Sequence, residues 1–265
     1  MATRKEVTKE EMRTIQLDIL DKIHDYCEKN NLRYSLSGGT LLGAVRHQGY
    51  IPWDDDIDIM MPRPDYEKFM VDFNDKHEYL VTQNFKNSKT FYYDFGKVYD
   101  NRTIIKEKDR CMTGVYVDIF PIDGMPDSQE ETIELRNKCV AIIEELKKTT
   151  QFYKFTDGHF LRLKYLLKLL IYPPRDKSIK KYYEQIEAYP FGQKKYSGVI
   201  LGQYGLREKL PSDLYTSYVD LTFEGKQRKA ICGYATYLSG LYGDYMQLPP
   251  VEKRKSAHIG HAFWK

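Results

Sequence analysis

Hydrophobic residues at helical spacing mark the start of the chain. Residues 12–27 repeat apolar positions every three or four residues and directly follow a capping box at Thr8–Glu11. The pattern predicts an N-terminal helix that packs one face on a core and ends at Asn30–Asn31. Beyond it the pattern predicts a short half-buried strand at 32–37, a turn at Gly38–Gly39, a helix at 40–46, a strand at 57–61 and a helix from about 65 to 73.

From residue 91 onward the pattern predicts further strands, followed by several helices. Residues 91–99 and 103–106 are expected to pair as a hairpin, and apolar residues 115–120 form a strand that ends in a turn at 121–124. The later apolar periodicity predicts helices at 128–149, 160–172, 179–188 and 227–242. We therefore expect an α+β protein in which a mixed β-sheet core occupies residues 1–125 and a mainly helical region occupies residues 126–265.

Composition narrows the class of protein. The 265 residues are 30% charged and 42% hydrophobic, as in a globular protein. Lys and Arg (41) nearly balance Asp and Glu (38), so the net charge of +3 does not favour a nucleic-acid partner. The first residues contain no apolar signal segment, and the four cysteines form no CxxC pair, which leads us to expect a cytoplasmic protein with reduced thiols.

An acidic run stands directly against apolar sequence at residues 53–61, WDDDIDIMM. In a strand, side chains two positions apart share a face, so Asp56 and Asp58 would lie on one face with Cα atoms ~7 Å apart. Two such carboxylates can converge on one hard divalent cation through oxygen ligands. The alternative is a solvated strand face that happens to be acidic, with Asp54 and Asp55 simply hydrated.

A second acidic anomaly lies in VYVDIF, where Asp118 is a lone carboxylate in an apolar strand. A buried charge needs a partner. One partner is a cation such as Lys97 in a structural ion pair; the other is a metal shared with Asp56 and Asp58 across adjacent strands. We favour the shared metal because it explains both anomalies, and it would leave one acid to deprotonate an attacking hydroxyl.

Phosphate contacts are expected around the acidic run. Glycine lets main-chain N–H groups approach a phosphate, so Gly38–Gly39 between a strand and a helix could steady phosphate oxygens, although a tight turn also needs glycine. Each neighbouring candidate also has an ordinary structural explanation. Arg46 and His47 could be solvated at the surface, Trp53 could lie in the core, and Lys97 could neutralise Asp118. The candidates for donor contacts are Gly38, Gly39, Thr40, Arg46, His47, Trp53 and Lys97.

These motifs together resemble those of LicD-type phosphotransferases. The resemblance is carried by GGTLLGAVRH at 38–47, GYIPWDDDIDI at 49–59, VYVDIFP at 115–121, and LYGDYM with LPP at 241–250. It implies a nucleotidyltransferase-like fold, with metal binding on Asp56 and Asp58 and an essential third acid at Asp118. It also implies transfer of phosphocholine, or a related alcohol phosphate, from CDP-choline or another CDP-alcohol.

Further expectations follow from the same resemblance. The acceptor would be a sugar hydroxyl of a teichoic acid or similar surface-glycan precursor, lipid-linked at the inner face of the membrane. The cofactor would be Mg²⁺ or Mn²⁺, and Trp53 or Tyr50 would hold the trimethylammonium group. The apolar and basic segment at 160–172 is either a core helix or an interfacial helix that brings the enzyme to the membrane.

Two other functions remain open from the sequence. A small-molecule nucleotidyltransferase of the antibiotic-modifying kind would use the same glycine and aspartate geometry, and it would release pyrophosphate from a nucleoside triphosphate. A non-catalytic protein that binds CDP-linked metabolites is the alternative from another class. The three acids argue against the binding protein, because a silent relative would be free to lose carboxylates that repel each other.

Overall fold

The structure is a computed structural model that describes residues 4–74, 76–105, 113–152, 173–255 and 259–265. The predicted helix at 160–172 lies outside these residues. The helices are α1 (Lys9–Asn30), α2 (Gly38–His47), α3 (Arg63–Asp72), α4 (Gln129–Phe152), α5 (Arg175–Ile186) and α6 (Tyr234–Tyr242). The strands are β1 (Ser35–Leu36), β2 (Asp58–Pro62), β3 (Leu80–Gln83), β4 (Gly96–Asp100), β5 (Thr103–Ile105), β6 (Tyr116–Met125), β7 (Tyr196–Gly198), β8 (Leu210–Pro211), β9 (Tyr218–Phe223), β10 (Lys226–Ile231) and β11 (Ala262–Trp264).

The predicted capping box starts α1. The Thr8 hydroxyl accepts a hydrogen bond from the Glu11 N–H, and the Glu11 carboxylate accepts one from the Thr8 N–H. Asn31 ends the helix in the left-handed conformation, which asparagine tolerates better than most residues. The buried face of α1, which includes Ile19 and Ile23, joins the main core.

A mixed sheet forms the centre of the structure, with strand order β1-β2-β6-β4-β3 and with β7 and β8 joined beyond β6. Strands β2 and β6 are parallel, whereas the other pairs in this sheet are antiparallel. The α+β class is confirmed. The described part of residues 126–265 contains five short strands as well as helices, and β11 returns to pair with β5. The division at residue 125 stays a prediction.

Two predictions in the first half of the chain are wrong: the extent and burial of the strand at 32–37, and the turn at 121–124. The strand at 32–37 reduces to Ser35–Leu36, and it is not half-buried: the Ser35 hydroxyl accepts from the Ile231 N–H at 3.0 Å, and Ser37 bonds Tyr237 at 3.1 Å. The turn at 121–124 is instead the continuation of β6. Strand β7 supplies main-chain partners there, and Arg63 binds the Asp123 carboxylate through two hydrogen bonds.

Two other predictions are also wrong: the hairpin between residues 91–99 and 103–106, and the start of the helix at 227–242. Strands β4 and β5 do not form a hairpin with each other, because β4 lies between β3 and β6 while β5 pairs with β11. The helix at 227–242 begins only at Tyr234. Residues before it form β10, which pairs with β9 across Glu224–Gly225, where both residues have positive φ as a two-residue hairpin turn requires.

Among the described helices, none has both the length and the apolar content to cross a bilayer.

Candidate functional site

The parallel strands β2 and β6 bring two of the predicted acids together. Asp58 and Asp118 are direct partners in the β2–β6 register, so their side chains leave the same face of the sheet. The Asp118 N–H donates to the Ile57 carbonyl at 3.0 Å, which fixes this register at the start of β2. The expectation that Asp118 faces Asp58 across adjacent strands is confirmed.

Lys97 approaches Asp118 from the opposite neighbour, β4, where the two residues are also in register. The Lys97 Nζ lies 2.8 Å from Asp118 Oδ1 and 3.2 Å from the centre of the Tyr116 ring. Both side chains are buried. The two interpretations of Asp118 are therefore compatible, because the carboxylate has an ion-pair partner on one side and Asp58 on the other.

Asp56 lies in the loop before β2 rather than in the strand, so the two-residue strand alternation does not apply to it. Helix α1 holds this loop from behind. Gln16 Nε2 donates to the Asp55 carbonyl at 2.9 Å, and an Arg13 guanidinium nitrogen donates to the Asp54 carbonyl at 3.2 Å. The fully buried Gln16 thus fixes the main chain that carries three of the four acids.

Tyr50 belongs to the same support. Its side chain is buried, and its hydroxyl donates to Gln16 Oε1 at 2.9 Å. Its ring packs at 5.2 Å from that of Phe223. Tyr50 is therefore part of the core, and the expectation that it forms a wall for the trimethylammonium group is wrong.

The acidic residues crowd negative charge into a small volume. Asp54, Asp55 and Asp56 each place one oxygen within 4.8 Å of the others. Burial, followed by the charges of Asp56, Asp118 and Asp54, holds the pKa of Asp58 well above its usual range, and Lys97 opposes this effect. Carboxylate oxygens at this density are the ligands that a hard divalent cation prefers. The residues present therefore fit Mg²⁺, which would relieve the repulsion.

The two glycines that begin α2 allow this helix to lie against the acids. Gly38 has a φ of +49°, which favours glycine, and a Cβ placed there would lie 3.4 Å from Asp58 Oδ2. A Cβ at Gly39 would lie only 2.7 Å from Asp54 Oδ2. The glycines form the first turn of the helix rather than a separate turn, and each lets a carboxylate approach the helix N-terminus.

Thr40 supports the same contact. Its buried hydroxyl accepts a hydrogen bond from the Asp58 N–H at 2.8 Å. The structure therefore gives Thr40 a positioning contact to the main chain of Asp58. Thr40 is not among the described residues that line either cavity, and its predicted contact with the CDP-alcohol stays a prediction.

A cavity of about 790 Å³ opens on one side of the acids. It is lined by several residues predicted to contact the CDP-alcohol or the metal: Gly39, Arg46, Trp53, Asp56 and Asp58. It also contains residues of the late motif and the basic segment after it: Tyr242, Asp244, Tyr245, Gln247, Leu248, Pro249, Pro250, Lys253, Arg254 and Lys255. Sequence motifs that are almost 200 residues apart therefore meet around one cavity.

The cationic candidates in this region have partly structural contacts. Arg46 donates to the carbonyl of Tyr245 at 2.7 Å and so holds the late motif at the cavity. Arg46 also donates from Nε to His47 Nε2 at 3.0 Å. Burial, and then the charge of Arg46, lowers the pKa of His47. His47 and Lys97 are not among the described residues that line the cavities, so their predicted phosphate contacts have no support from the geometry.

A second cavity of about 400 Å³ lies on the other side of the acids. It is lined by Asp56, Asp58 and Asp118 together with residues that the sequence motifs did not reveal. The two cavities share Asp56, Asp58, Gln203 and Tyr204. The carboxylates thus form part of a common wall between two spaces.

Two further acids line the smaller cavity. Burial raises the pKa of Asp94 to about 6 and that of Glu208 to about 7. Glu208 fits because Gly202 has no side chain; a Cβ there would lie 2.5 Å from Glu208 Oε1. Asp94 interrupts an aromatic run, YYDF at 92–95, and this was the one sequence feature that could have indicated a site residue. Glu208 has polar neighbours in sequence, so nothing there marked it as a site residue.

Residues 31–152 match the sequence model of a family described as "LicD/FKTN/FKRP, nucleotidyltransferase domain". This defines the class of the domain that contains α2, the acidic run and β6. The lipopolysaccharide cholinephosphotransferase LicD of Haemophilus influenzae is 34% identical over 265 residues, which cover 98% of this chain and 99% of that protein. The chain therefore belongs to the LicD family, and it is a phosphotransferase.

Two shorter matches involve uncharacterised rickettsial proteins. The Rickettsia typhi protein is 33% identical over 108 residues, which cover 40% of this chain and 33% of that protein. The Rickettsia prowazekii protein is 56% identical over 41 residues, which cover 16% and 15% of the two chains.

Proposed function

We propose that this protein transfers phosphocholine from CDP-choline to a sugar hydroxyl of a surface-glycan precursor, with Mg²⁺ as cofactor, and releases CMP. The observation that carries the proposal is the shared wall of the two cavities. Asp56 and Asp58 border both, and Asp118 faces Asp58 from the adjacent strand. Carboxylates that border both cavities can lie beside the reacting phosphate of a donor that spans them, and the acceptor hydroxyl must reach the same point.

The chemistry of the donor and acceptor is supported by the relative from Haemophilus influenzae, whose name states cholinephosphotransferase activity on lipopolysaccharide. That name supports phosphocholine as the group transferred and a surface glycan as the acceptor. CDP as the carrier of phosphocholine is implied by the resemblance to LicD-type phosphotransferases alone. A teichoic acid or a lipopolysaccharide precursor would present the same sugar hydroxyl to the site.

The reaction balances with the groups that the chain provides. The acceptor oxygen attacks the phosphorus of the phosphocholine group, and the bond from that phosphorus to the bridging oxygen of CMP breaks. Asp118 or Asp58 takes the proton of the acceptor hydroxyl. Lys97, at 2.8 Å from Asp118, and Thr40, bonded to the main chain of Asp58, keep these carboxylates in place.

Asp56 and Asp58, with Asp118 as the third acid, would hold the divalent cation. When bound, Mg²⁺ or Mn²⁺ supplies positive charge to the diphosphate and to the leaving CMP. The Gly39 N–H in the first turn of α2 would lie against a phosphate oxygen, as helix N-termini commonly do, whereas the Gly38 N–H already donates to the Tyr237 hydroxyl at 3.4 Å.

The rim of the larger cavity supports an acceptor that is attached to a lipid. Six large hydrophobic side chains are exposed among the described residues, and three of them, Met246, Leu248 and Val251, lie within one six-residue segment. Leu248 and Val251 line the larger cavity. The basic residues Lys253–Lys255 follow directly. Apolar side chains beside basic ones are typical of segments that contact anionic membrane surfaces. We therefore place peripheral contact with the inner face of the membrane at this rim.

The reaction is tested by incubating the purified protein with Mg²⁺, CDP-choline and a lipid-linked glycan acceptor, and then measuring CMP and labelled glycan. We expect both products in equal amounts, and their loss with EDTA and with Asp58→Asn. Asp72→Asn is the matched control, because Asp72 is an exposed acid that pairs with Lys68 away from both cavities. Transfer that persists in Asp58→Asn would contradict the proposed role of the acids.

A further inference from the structure

The two cavities that share Asp56 and Asp58 have different electrostatic character. Among its described lining residues, the larger cavity balances four acids, Asp54, Asp56, Asp58 and Asp244, with four cationic residues, Arg46, Lys253, Arg254 and Lys255. The described lining of the smaller cavity contains no lysine, arginine or histidine. It contains five acids instead: Asp56, Asp58, Asp94, Asp118 and Glu208.

The smaller cavity is also rich in aromatic rings. Tyr93 and Phe95 stack at 5.1 Å between ring centres, and Phe95 lies 4.8 Å from Phe120. These three rings are only partly buried, in contrast to the fully buried aromatic residues of the core. Their exposed surfaces border the cavity, which Tyr116, Tyr204 and Tyr237 complete.

Aromatic faces combined with carboxylates form the environment that binds a quaternary ammonium group. Ring faces attract the cation through their quadrupole, while the methyl groups are packed without needing hydrogen-bond partners. The same attraction is already present beside the cavity, where the Lys97 ammonium lies 3.2 Å from the centre of the Tyr116 ring. Lys97 pairs with Asp118, and Asp56, Asp58 and Asp118 are the acids assigned to the metal, so Asp94 and Glu208 are the acids left to face the head group.

We propose, on the basis of the function proposed above, that the smaller cavity binds the trimethylammonium head group of the donor. Phe95, Phe120 and Tyr93 provide the aromatic faces, and Asp94 and Glu208 provide the negative charge. The nucleotide then occupies the larger cavity with its cationic residues, and the diphosphate lies at the shared wall. Trp53 lines the nucleotide side, where the Arg254 guanidinium lies 5.4 Å from its ring. This assignment moves the head group away from Trp53.

The charge argues against a neutral polyol or sugar as the occupant. Hydroxyl groups can also donate hydrogen bonds to carboxylates, so the difference lies in net charge: a neutral polyol does not offset the negative charge of the cavity. A cation gains from both the carboxylates and the ring faces. The smaller cavity should therefore distinguish CDP-choline from CDP-glycerol and CDP-ribitol.

The test is calorimetric binding of CDP-choline, CDP-glycerol and CMP to the wild type, Phe95→Leu, Phe120→Leu and Trp53→Leu. Leucine keeps apolar volume and removes the ring face. We expect the wild type to prefer CDP-choline over CDP-glycerol. Phe95→Leu and Phe120→Leu should each weaken CDP-choline binding about fivefold or more and leave CMP binding unchanged. Trp53→Leu should weaken CMP binding and keep the preference for CDP-choline.

Three results would overturn the assignment: no preference for CDP-choline in the wild type, loss of CMP binding in Phe95→Leu at unchanged thermal stability, or loss of the preference in Trp53→Leu. A second measurement needs no variant. Tetramethylammonium should compete with CDP-choline, and neutral 3,3-dimethylbutan-1-ol should not; equal competition would also overturn it. Absence of transfer with intact choline selectivity would instead refute the proposed function and leave the head-group site standing.

Discussion

The ion pair between Lys97 and Asp118 offers a way to separate stability from catalysis. We consider Lys97→Met, which keeps the chain length and removes the ammonium. At an effective dielectric constant of about 20, two unit charges 2.8 Å apart attract by about 6 kcal/mol. Desolvation of both groups offsets part of this energy, and breaking a buried pair by removing one partner typically costs about 3–5 kcal/mol.

We expect the lower end of that range for Lys97→Met. The Asp118 side chain is 12% exposed and borders a cavity, so water can partly solvate the carboxylate that remains. The free energy of unfolding should therefore fall by about 3 kcal/mol. The double variant Lys97→Met with Asp118→Asn contains neither charge, and it should recover most of this loss. It should nevertheless be inactive, because the third carboxylate is absent.

Urea unfolding followed by circular dichroism measures the stability of each variant, and CMP release measures activity. Lys138→Met is the control, because Lys138 lies 2.7 Å from Glu134 but both side chains are mostly exposed. That variant should lose much less stability than Lys97→Met does. The reasoning fails if Lys97→Met costs no more than the control, or if the double variant remains as unstable as Lys97→Met.

Three further predictions follow from other contacts. Gly39→Ala should lower transfer about 100-fold with little change in Tm, because its Cβ would displace the Asp54 carboxylate, whereas Gly240→Ala, with its nearest neighbour at 3.7 Å, should remain active; equal activities would contradict this. Glu208→Gln should raise the unfolding free energy by about 3 kcal/mol at pH 8 and not at pH 4, since a folded pKa of about 7 against an ordinary 4.5 makes the wild type lose stability as the pH rises from about 4.5 to about 7; parallel pH profiles of Tm would refute it. Met246→Ser with Val251→Ser should weaken sedimentation with anionic vesicles, and Val71→Ser with Val140→Ser, equally apolar and exposed, should not.

The local features of the chain were the most predictable from sequence. The capping box at Thr8 and the stop at Asn31 depend on neighbouring residues, and both were confirmed. The direct opposition of Asp58 and Asp118 was predicted because each carboxylate interrupts an apolar strand and so needs a partner.

The errors arose where distant segments provide partners. Pro121–Gly124 has turn residues, but β7, more than 70 residues later, pairs with this stretch and keeps it extended. The false hairpin has the same origin, because β5 pairs with β11 at the end of the described chain. For β10 the missed signal was local: Glu224–Gly225, directly before the predicted helix at 227–242, is a hairpin turn.

Only part of the candidate site could be predicted from the sequence, for a related reason. Its acids stand out because aspartate is uncommon in apolar strands. Asp94 and Glu208 come from loop and short helical segments whose sequence has no comparable contrast, and only the fold brings them to the smaller cavity. Arg254 shows the same limit, because its position beside Trp53 depends on contacts made 200 residues away in sequence.

The central claim is transfer of phosphocholine from a CDP donor at the shared wall of the two cavities. The most direct measurement supplies Mg²⁺ and a glycan acceptor with CDP-choline or with CTP, and assays CMP and pyrophosphate for the wild type and Asp58→Asn. The account predicts CMP from CDP-choline, matched by phosphocholine on the glycan and lost in the variant. Pyrophosphate from CTP, with no CMP from CDP-choline, would contradict it and identify a nucleotidyltransferase instead.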